Sequence, residues 1–317
     1  MSYKSVVVFA LLLVSLLAVC PGLEAEIAAA GDNKPAEVAF KYSPPVPISL
    51  LEQVTTRRTT IAAGMDAAEE VSVSKVKTRI EHEGDGFVIN TEPAFFDITR
   101  DGKTVKDPIV DVLQATKVTY HVDAEGKLKQ IDGYKGVLDA ASKVAPKALR
   151  DTLKMLMSDE ALTVRETAQW NSRIGDLTGQ KGRKNAVWLG DGIWPLPDGT
   201  MAHYYIITMF SGFVDRDGRK LAKLDLLFEI DQNKIRQRVN DLARDVVEGI
   251  PTPKALAKVP GFVITGKGER LIDPATMLTY SEKAQRDVTW MMKMGKDGDV
   301  KVLVLETKEY KVDYGTR

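Results

Sequence analysis

The sequence predicts an α+β fold: a large curved antiparallel β-sheet, half-barrel-like, with a helical insertion near the middle of the chain. Three observations carry this. Strand patterns recur on either side of short Gly/Asp turns, which is the layout of hairpins. The hydrophobic period changes from two residues to three or four over Leu138–Leu156, and afterwards returns to two. Hairpin patterns also outnumber any strand–helix–strand order, so antiparallel pairing is expected over parallel.

Taken in order, residues 1–25 read as a secretory signal. Lys4 supplies the positive start, Val6–Cys20 is an uncharged run of 15 residues, and Pro21-Gly22 breaks it before Leu23-Glu24-Ala25. The run is shorter than the roughly 20 apolar residues that a spanning helix needs, so cleavage near Ala25 is expected. A lipoprotein signal wants a small residue directly before its cysteine. Val19 precedes Cys20 and Pro21 follows it, which weighs against lipid anchoring there. Cleavage would remove one base, one acid and the only cysteine. The expected product is a soluble, cysteine-free chain exported to the periplasm or beyond, in a bacterial envelope. With no cysteine, disulfides and thiol chemistry drop out.

Residues 26–36 form a polar lead-in, and the β-rich domain is expected over 37–317. Ser43-Pro44-Pro45-Val46-Pro47 is an extended connector. Strand patterns fill 37–132. Phe95–Thr99 runs into the turn Arg100-Asp101-Gly102-Lys103. Val118, Tyr120 and Val122 alternate with Lys117, Thr119 and His121, ahead of a turn at Asp123–Gly126 and a return strand to Ile131.

Helices are expected over 135–172. Val137, Leu138, Ala141, Ala145, Leu149, Leu153 and Leu156 form an apolar stripe that Pro146 interrupts. Ser158-Asp159-Glu160 starts a further helix reaching about Ser172. A polar loop at Gly179–Asn185 returns the chain to strands over 185–317. Met201–Val214 is apolar on both faces, with Tyr205, Ile207 and Met209 on one and Tyr204, Ile206 and Phe210 on the other, so both faces should be covered. Lys220–Asp231 places Ala222, Leu224, Leu226, Phe228 and Ile230 on one dry face. A short helix is expected over Asn233–Val247. Asp287–Met294 and Val300–Tyr314 flank a turn at Gly295–Gly298.

Composition bounds the function. The 44 basic and 44 acidic residues cancel, which argues against a nucleic-acid partner. There is no G-x-S-x-G, H-E-x-x-H, Walker A or G-x-G-x-x-G pattern. His82, His121 and His203 are spaced as no local metal set requires. Gly266-Lys267-Gly268 after Phe262–Thr265 reads as a bent or bulged strand in preference to a phosphate cradle. The Asp/Gly loops lack the ligand spacing of a calcium site. No catalytic residue, metal or cofactor is therefore expected.

The candidate ligand-binding residues are apolar. Leu138, Ala141, Leu149, Leu153 and Leu156 either seal the sheet or line a hydrophobic cavity for a lipid-like ligand. Trp188 and Trp194 bracket a glycine turn and form either a core clamp or a ligand platform. Met155, Met157 and the cluster Met291, Met292 and Met294 would suit an adaptable apolar wall.

One combination of segments carries a resemblance: Thr119–Leu128, the helical stretch, Val187–Trp194, Gly266-Lys267-Gly268 and Ile272–Leu278. Together, over roughly residues 50–312, they resemble a group of uncharacterised exported bacterial β-rich proteins of no assigned function. Met277 stands where those proteins usually carry glycine after Pro-Ala-Thr. The resemblance transfers no catalytic residue. The architecture is also similar to bacterial envelope lipid or lipoprotein carriers, whose curved sheet wraps helices around a hydrophobic cavity. The expectation is an exported, non-enzymatic envelope protein that binds an apolar ligand or a lipid-bearing partner. The alternatives are an envelope interaction module with a filled core and an apolar surface patch, and, with least support, a hydrolase assembled from distant carboxylates.

Overall fold

Alternation of apolar and polar residues at period two makes one face of each strand dry, and such strands must pair edge to edge to satisfy their backbones. The computed structural model describes residues 37–231, 233–235, 259–293 and 298–314. The export-signal and lead-in residues, most of the expected 233–247 helix, Met294 and much of the 295–298 turn lie outside the described residues.

The strands are β1 (Glu37–Ala39), β2 (Ile48–Ala62), β3 (Ala68–Glu83), β4 (Gly86–Arg100), β5 (Lys103–Thr104), β6 (Val118–Val122), β7 (Leu128–Asp132), β8 (Lys181–Arg183), β9 (Val187–Pro195), β10 (Met201–Arg216), β11 (Arg219–Glu229), β12 (Val263–Ile272), β13 (Thr279–Lys293) and β14 (Asp299–Asp313). β1 pairs with β8, and the others form one antiparallel sheet of 12 strands. Its order is β7-β6-β4-β3-β2-β14-β13-β12-β11-β10-β9, with β5 on β4. Among the described residues its ends, β7 and β9, do not pair, so the sheet is open.

Between β5 and β6 lies α1 (Pro108–Gln114), started by Asp107, whose carboxylate accepts from the Ile109 amide at 2.9 Å. The sequence reading did not anticipate it: an Asp-Pro start and two buried residues, Ile109 and Val110, are a short signal. The helical insertion is α2 (Val137–Val144), a 3₁₀ turn (Lys147–Leu149), α3 (Arg150–Met157) and α4 (Asp159–Trp170). Pro146 separates α2 from the 3₁₀ turn, as its missing N–H requires. Ser158 caps α4 through the Ala161 amide. A π-turn, Asn171–Gly175, extends α4.

The position of α4 shows how the sheet is bent. β7 and β9 are ten strand intervals apart, about 48 Å if the sheet were flat at ~4.8 Å each. Yet α4 contacts both. The sheet therefore curls around α4 and its π-turn. Even-numbered residues face inward along most of the strands: Leu50, Val54, Thr56 and Arg58 on β2, and Val302, Val304, Glu306, Lys308 and Tyr310 on β14 are all buried.

Two apolar clusters occupy the ends of the curl. Trp194, Phe228, Ile264, Val288, Trp290 and Val304 are in the first. The second joins Phe40 and Tyr42 after β1 to Phe87 and Ile89 of β4 and to Phe210 and Leu224 across the curl. β11 buries Ala222, Leu224, Leu226 and Phe228 on one face, as the alternation predicts. β10 is covered on both faces: Tyr204 and Ile206 point into the curl, while Tyr205 and Ile207 pack with Ile235 outside.

Glycines mark close approaches. A Cβ on Gly266 would lie 2.2 Å from the Gln285 carbonyl, and one on Gly268 would lie 2.3 Å from that of Lys283. Both glycines sit mid-strand between β11 and β13. Their backbone is committed to the ladder, in regular register, so they form neither a phosphate cradle nor a bulge. A Cβ on Gly192 would lie 2.2 Å from the Tyr204 ring. The Gly192→Ala variant should lose about 1–3 kcal/mol through overpacking, read as a lower midpoint in thermal or denaturant unfolding.

Candidate functional site

The stripe chosen from the sequence is mostly core. Ala141, Leu149, Leu153 and Leu156 are fully buried, and Leu138 packs partly buried beside them. Ala141, Leu153 and Leu156 meet Ile109, Val118, Tyr134 and Leu162 in a satellite cluster between α1–α4 and the β6 end of the sheet. Gly190 and Gly192 form no turn, because Trp188 and Trp194 lie on one continuous strand, β9; Trp188 meets Phe40 edge-on at 5.5 Å. Trp194 lies in the opposite apolar cluster. The five stripe residues and two tryptophans are thus spread over separate parts of the core.

A cavity of about 290 Å³ lies inside the curl, between the sheet and the helices. Leu50, Val54, Ile80 and Ile89 form its sheet wall, while Leu113 of α1 and Trp170 of α4 face them. The seven residues chosen from the sequence do not line it. Met277 does, and its φ is 61°, the region that glycine favours. The residue that stands in place of glycine therefore holds a strained backbone and buries its side chain against the hollow.

Two carboxylates interrupt this apolar wall, and each is held by hydroxyl groups. Glu166 of α4 accepts from Tyr120 Oη at 2.8 Å and also from Tyr134. Glu52 of β2 accepts from Tyr310 Oη at 2.8 Å and from the Thr78 hydroxyl. Burial first, and then the adjacent carboxylates, raise the tyrosine pKa values, so the phenols stay protonated donors. Trp170 completes the wall, its indole N–H donating to the Gly126 carbonyl at 3.0 Å.

Beyond the π-turn is a second, smaller hollow of about 100 Å³, and Trp194 lines it. Here the interior becomes charged. Along β14 the inward residues run from Val302 and Val304 through Glu306 and Lys308 to Tyr310, so ions form a belt between the apolar ends. Glu306 Oε2 accepts from Arg58 at 2.5–2.6 Å, and its Oε1 accepts from Arg286 Nε at 2.9 Å. Burial pushes the Glu306 carboxyl up, but the guanidiniums of Arg286 and Arg58 overrule it and hold it well below the usual carboxylate range. Arg270 Nε donates to Glu282 at 2.6 Å, and its Nη1 reaches the Ser172 and Arg173 carbonyls at 3.1 and 3.2 Å. Those bonds tie the π-turn to the sheet floor. Trp194 has the Arg58 and Arg286 guanidiniums 5.6 and 5.4 Å from its ring centre.

The histidines are not brought together as one site. His121 lies between Glu83 (Nδ1–Oε2 2.6 Å) and Asp132 (Nε2–Oδ2 3.1 Å), His82 stacks on Phe87, and His203 pairs across β10 with Ile193 of β9. Among the described residues no helix is long and apolar enough to cross a membrane.

The fold and its interior define a class: an open antiparallel sheet curled around a helical insertion, hollow on the inside. No family model and no curated protein matches the chain. Among solved structures, the chain is similar to lipovitellin, solved for its lipid–protein interactions, at 10% identity over 90% of this chain and 26% of that one, with a TM-score of 0.40. It therefore spans about a quarter of the lipovitellin chain. It is also similar to the beta domain of the Bordetella autotransporter BrkA, at 9% identity over 85% of this chain and 100% of that one, with a TM-score of 0.21.

Proposed function

We propose that this protein is an exported, non-enzymatic carrier that holds an apolar small molecule inside its curled sheet. The observation that carries the reading is the cavity of about 290 Å³, with its wall of Leu50, Val54, Ile80, Ile89, Leu113 and Trp170. That size sits at the lower end of small-molecule sites, and an apolar wall with few polar groups is their usual chemistry. The hollow favours a carrier over an interaction module, for which a filled core is expected. The carboxylates on the wall are held by hydroxyl donors, an arrangement that suits fixed anchoring more than proton transfer. Export follows from the leader pattern at residues 1–25, and an envelope setting would supply hydrophobic cargo.

An uncharged fluorescent probe, N-phenyl-1-naphthylamine, tests the reading. The protein should bind it with a blue-shifted, enhanced emission. Ser74 lines the cavity from β3, so Ser74→Trp should fill part of the hollow and weaken probe binding about tenfold or more, a change of about 1.4 kcal/mol. Equal binding by Ser74→Trp and wild type would count against this cavity as the site.

A further inference from the structure

The smaller hollow gathers six cations among its apolar walls. Arg58, Arg165, Arg173, Arg270, Arg286 and Lys308 line it. Glu282 is the carboxylate on its own wall and is held by Arg270, while Glu306, outside that lining, is held by Arg58 and Arg286. Six cations and one carboxylate line this hollow, and Glu306 and Glu166 offset part of that charge from outside its lining. A buried excess of positive charge is costly unless an anion neutralises it.

Arg165 is the sharpest case. It is only 8% exposed, it lines the hollow, and Nε, Nη1 and Nη2 all lack a hydrogen-bond partner among the described residues. The nearest carboxylate in sequence, Glu166, attracts the guanidinium through its charge but spends its hydrogen bonds on Tyr120 and Tyr134. A guanidinium offers five donors in a fork that matches a carboxylate or phosphate. Burial alone would not hold it there, because desolvation disfavours the charged form and lowers its pKa to about 10.

The two hollows meet. Gln169 and Arg173 line both, and Arg173 lies over the Tyr310 ring at 4.5 Å. One molecule could therefore place an apolar tail in the larger cavity and a charged end in the smaller. We propose that the smaller hollow receives the anionic head, a carboxylate or phosphate, of an amphiphile whose apolar tail occupies the larger cavity, with Arg165 as its principal donor. This inference rests on the carrier reading and assigns the chemical class of its cargo.

The test uses the delipidated full chain and two fluorescent probes that differ in charge, cis-parinaric acid and its methyl ester. The acid should bind at least about tenfold more tightly than the ester, since one charge-assisted pair is involved. Arg165→Gln should remove most of that preference and leave the ester unchanged, and Arg165→Lys should restore part of it. Circular dichroism checks that each variant is folded. Equal binding of acid and ester by wild type would overturn the anionic head and leave the apolar cargo standing. Binding of neither probe would instead overturn the carrier reading. Inorganic phosphate separates a lipid head from a free anion. If phosphate raises the wild-type melting temperature but not that of Arg165→Gln, with no preference for the acid, the amphiphile is overturned and the hollow belongs to a free anion.

Discussion

Glu306→Gln should destabilise the protein by about 3–5 kcal/mol, the usual cost of removing one partner from a buried ion network. Glu306 is 2% exposed and accepts from both Arg58 and Arg286. Without its charge, two guanidiniums face each other across a dry interior, beside the further cations Arg270 and Lys308. The same clamp predicts a pH dependence. The folded pKa of Glu306 lies below its unfolded value, so its contribution is full above the ordinary glutamate range. It is lost as pH falls through the folded pKa, below about pH 4. Wild type should therefore lose stability in acid more steeply than Glu306→Gln, which lacks that titration. Denaturant unfolding at neutral pH and at pH 3 reads both effects. An unchanged midpoint at neutral pH would show that the clamp contributes little.

Arg165→Met should do the opposite and raise stability in the absence of ligand, by about 1–4 kcal/mol. Among the described residues Arg165 has no hydrogen-bond partner to lose, so its removal relieves a desolvation cost, the same cost that makes replacing whole buried ion pairs by packed apolar groups neutral or stabilising by about that amount. Methionine keeps a similar length and adapts to irregular space. Glu306 and Arg165 thus separate two kinds of buried charge: one holds the fold together, the other is maintained at a cost to the empty protein. Thermal unfolding of the delipidated variant reads the effect. A fall of more than about 1 kcal/mol would mean that Arg165 is a structural residue.

Much of the architecture was legible because inward and outward residues differ in chemistry. Ala222, Leu224, Leu226 and Phe228 announce a dry face with no help from tertiary context. Pro146 and Ser158 marked helix boundaries for local reasons, a missing donor and a capping hydroxyl. α1 was missed because a helix of 7 residues shows barely two turns of periodicity.

The two hollows were hardly legible. A dry stripe such as Leu138–Leu156 looks the same whether it seals a core or lines a cavity. Empty space depends on how helices seat against a curled sheet, which no local period encodes. The charged belt left a fainter mark. Glu306 and Lys308 fall in phase with Val302, Val304, Tyr310 and Val312, and Arg270 falls in phase with Ile264 and Ile272. An ion at an inward position of an otherwise apolar period is a readable sign of a buried pair. It says nothing of the partner, because Arg58 and Glu306 are 248 residues apart in sequence.

The most direct measurement is a crystal structure of the delipidated protein soaked with 10-bromodecanoic acid, with anomalous scattering used to locate the bromine. A bromine peak is expected in the larger cavity, between Ile80 and Ile89 on one side and Trp170 on the other, with a carboxylate within hydrogen-bond reach of Arg165. A bromine peak confined to the outer surface, with the cavity free of ligand density, would contradict that expectation.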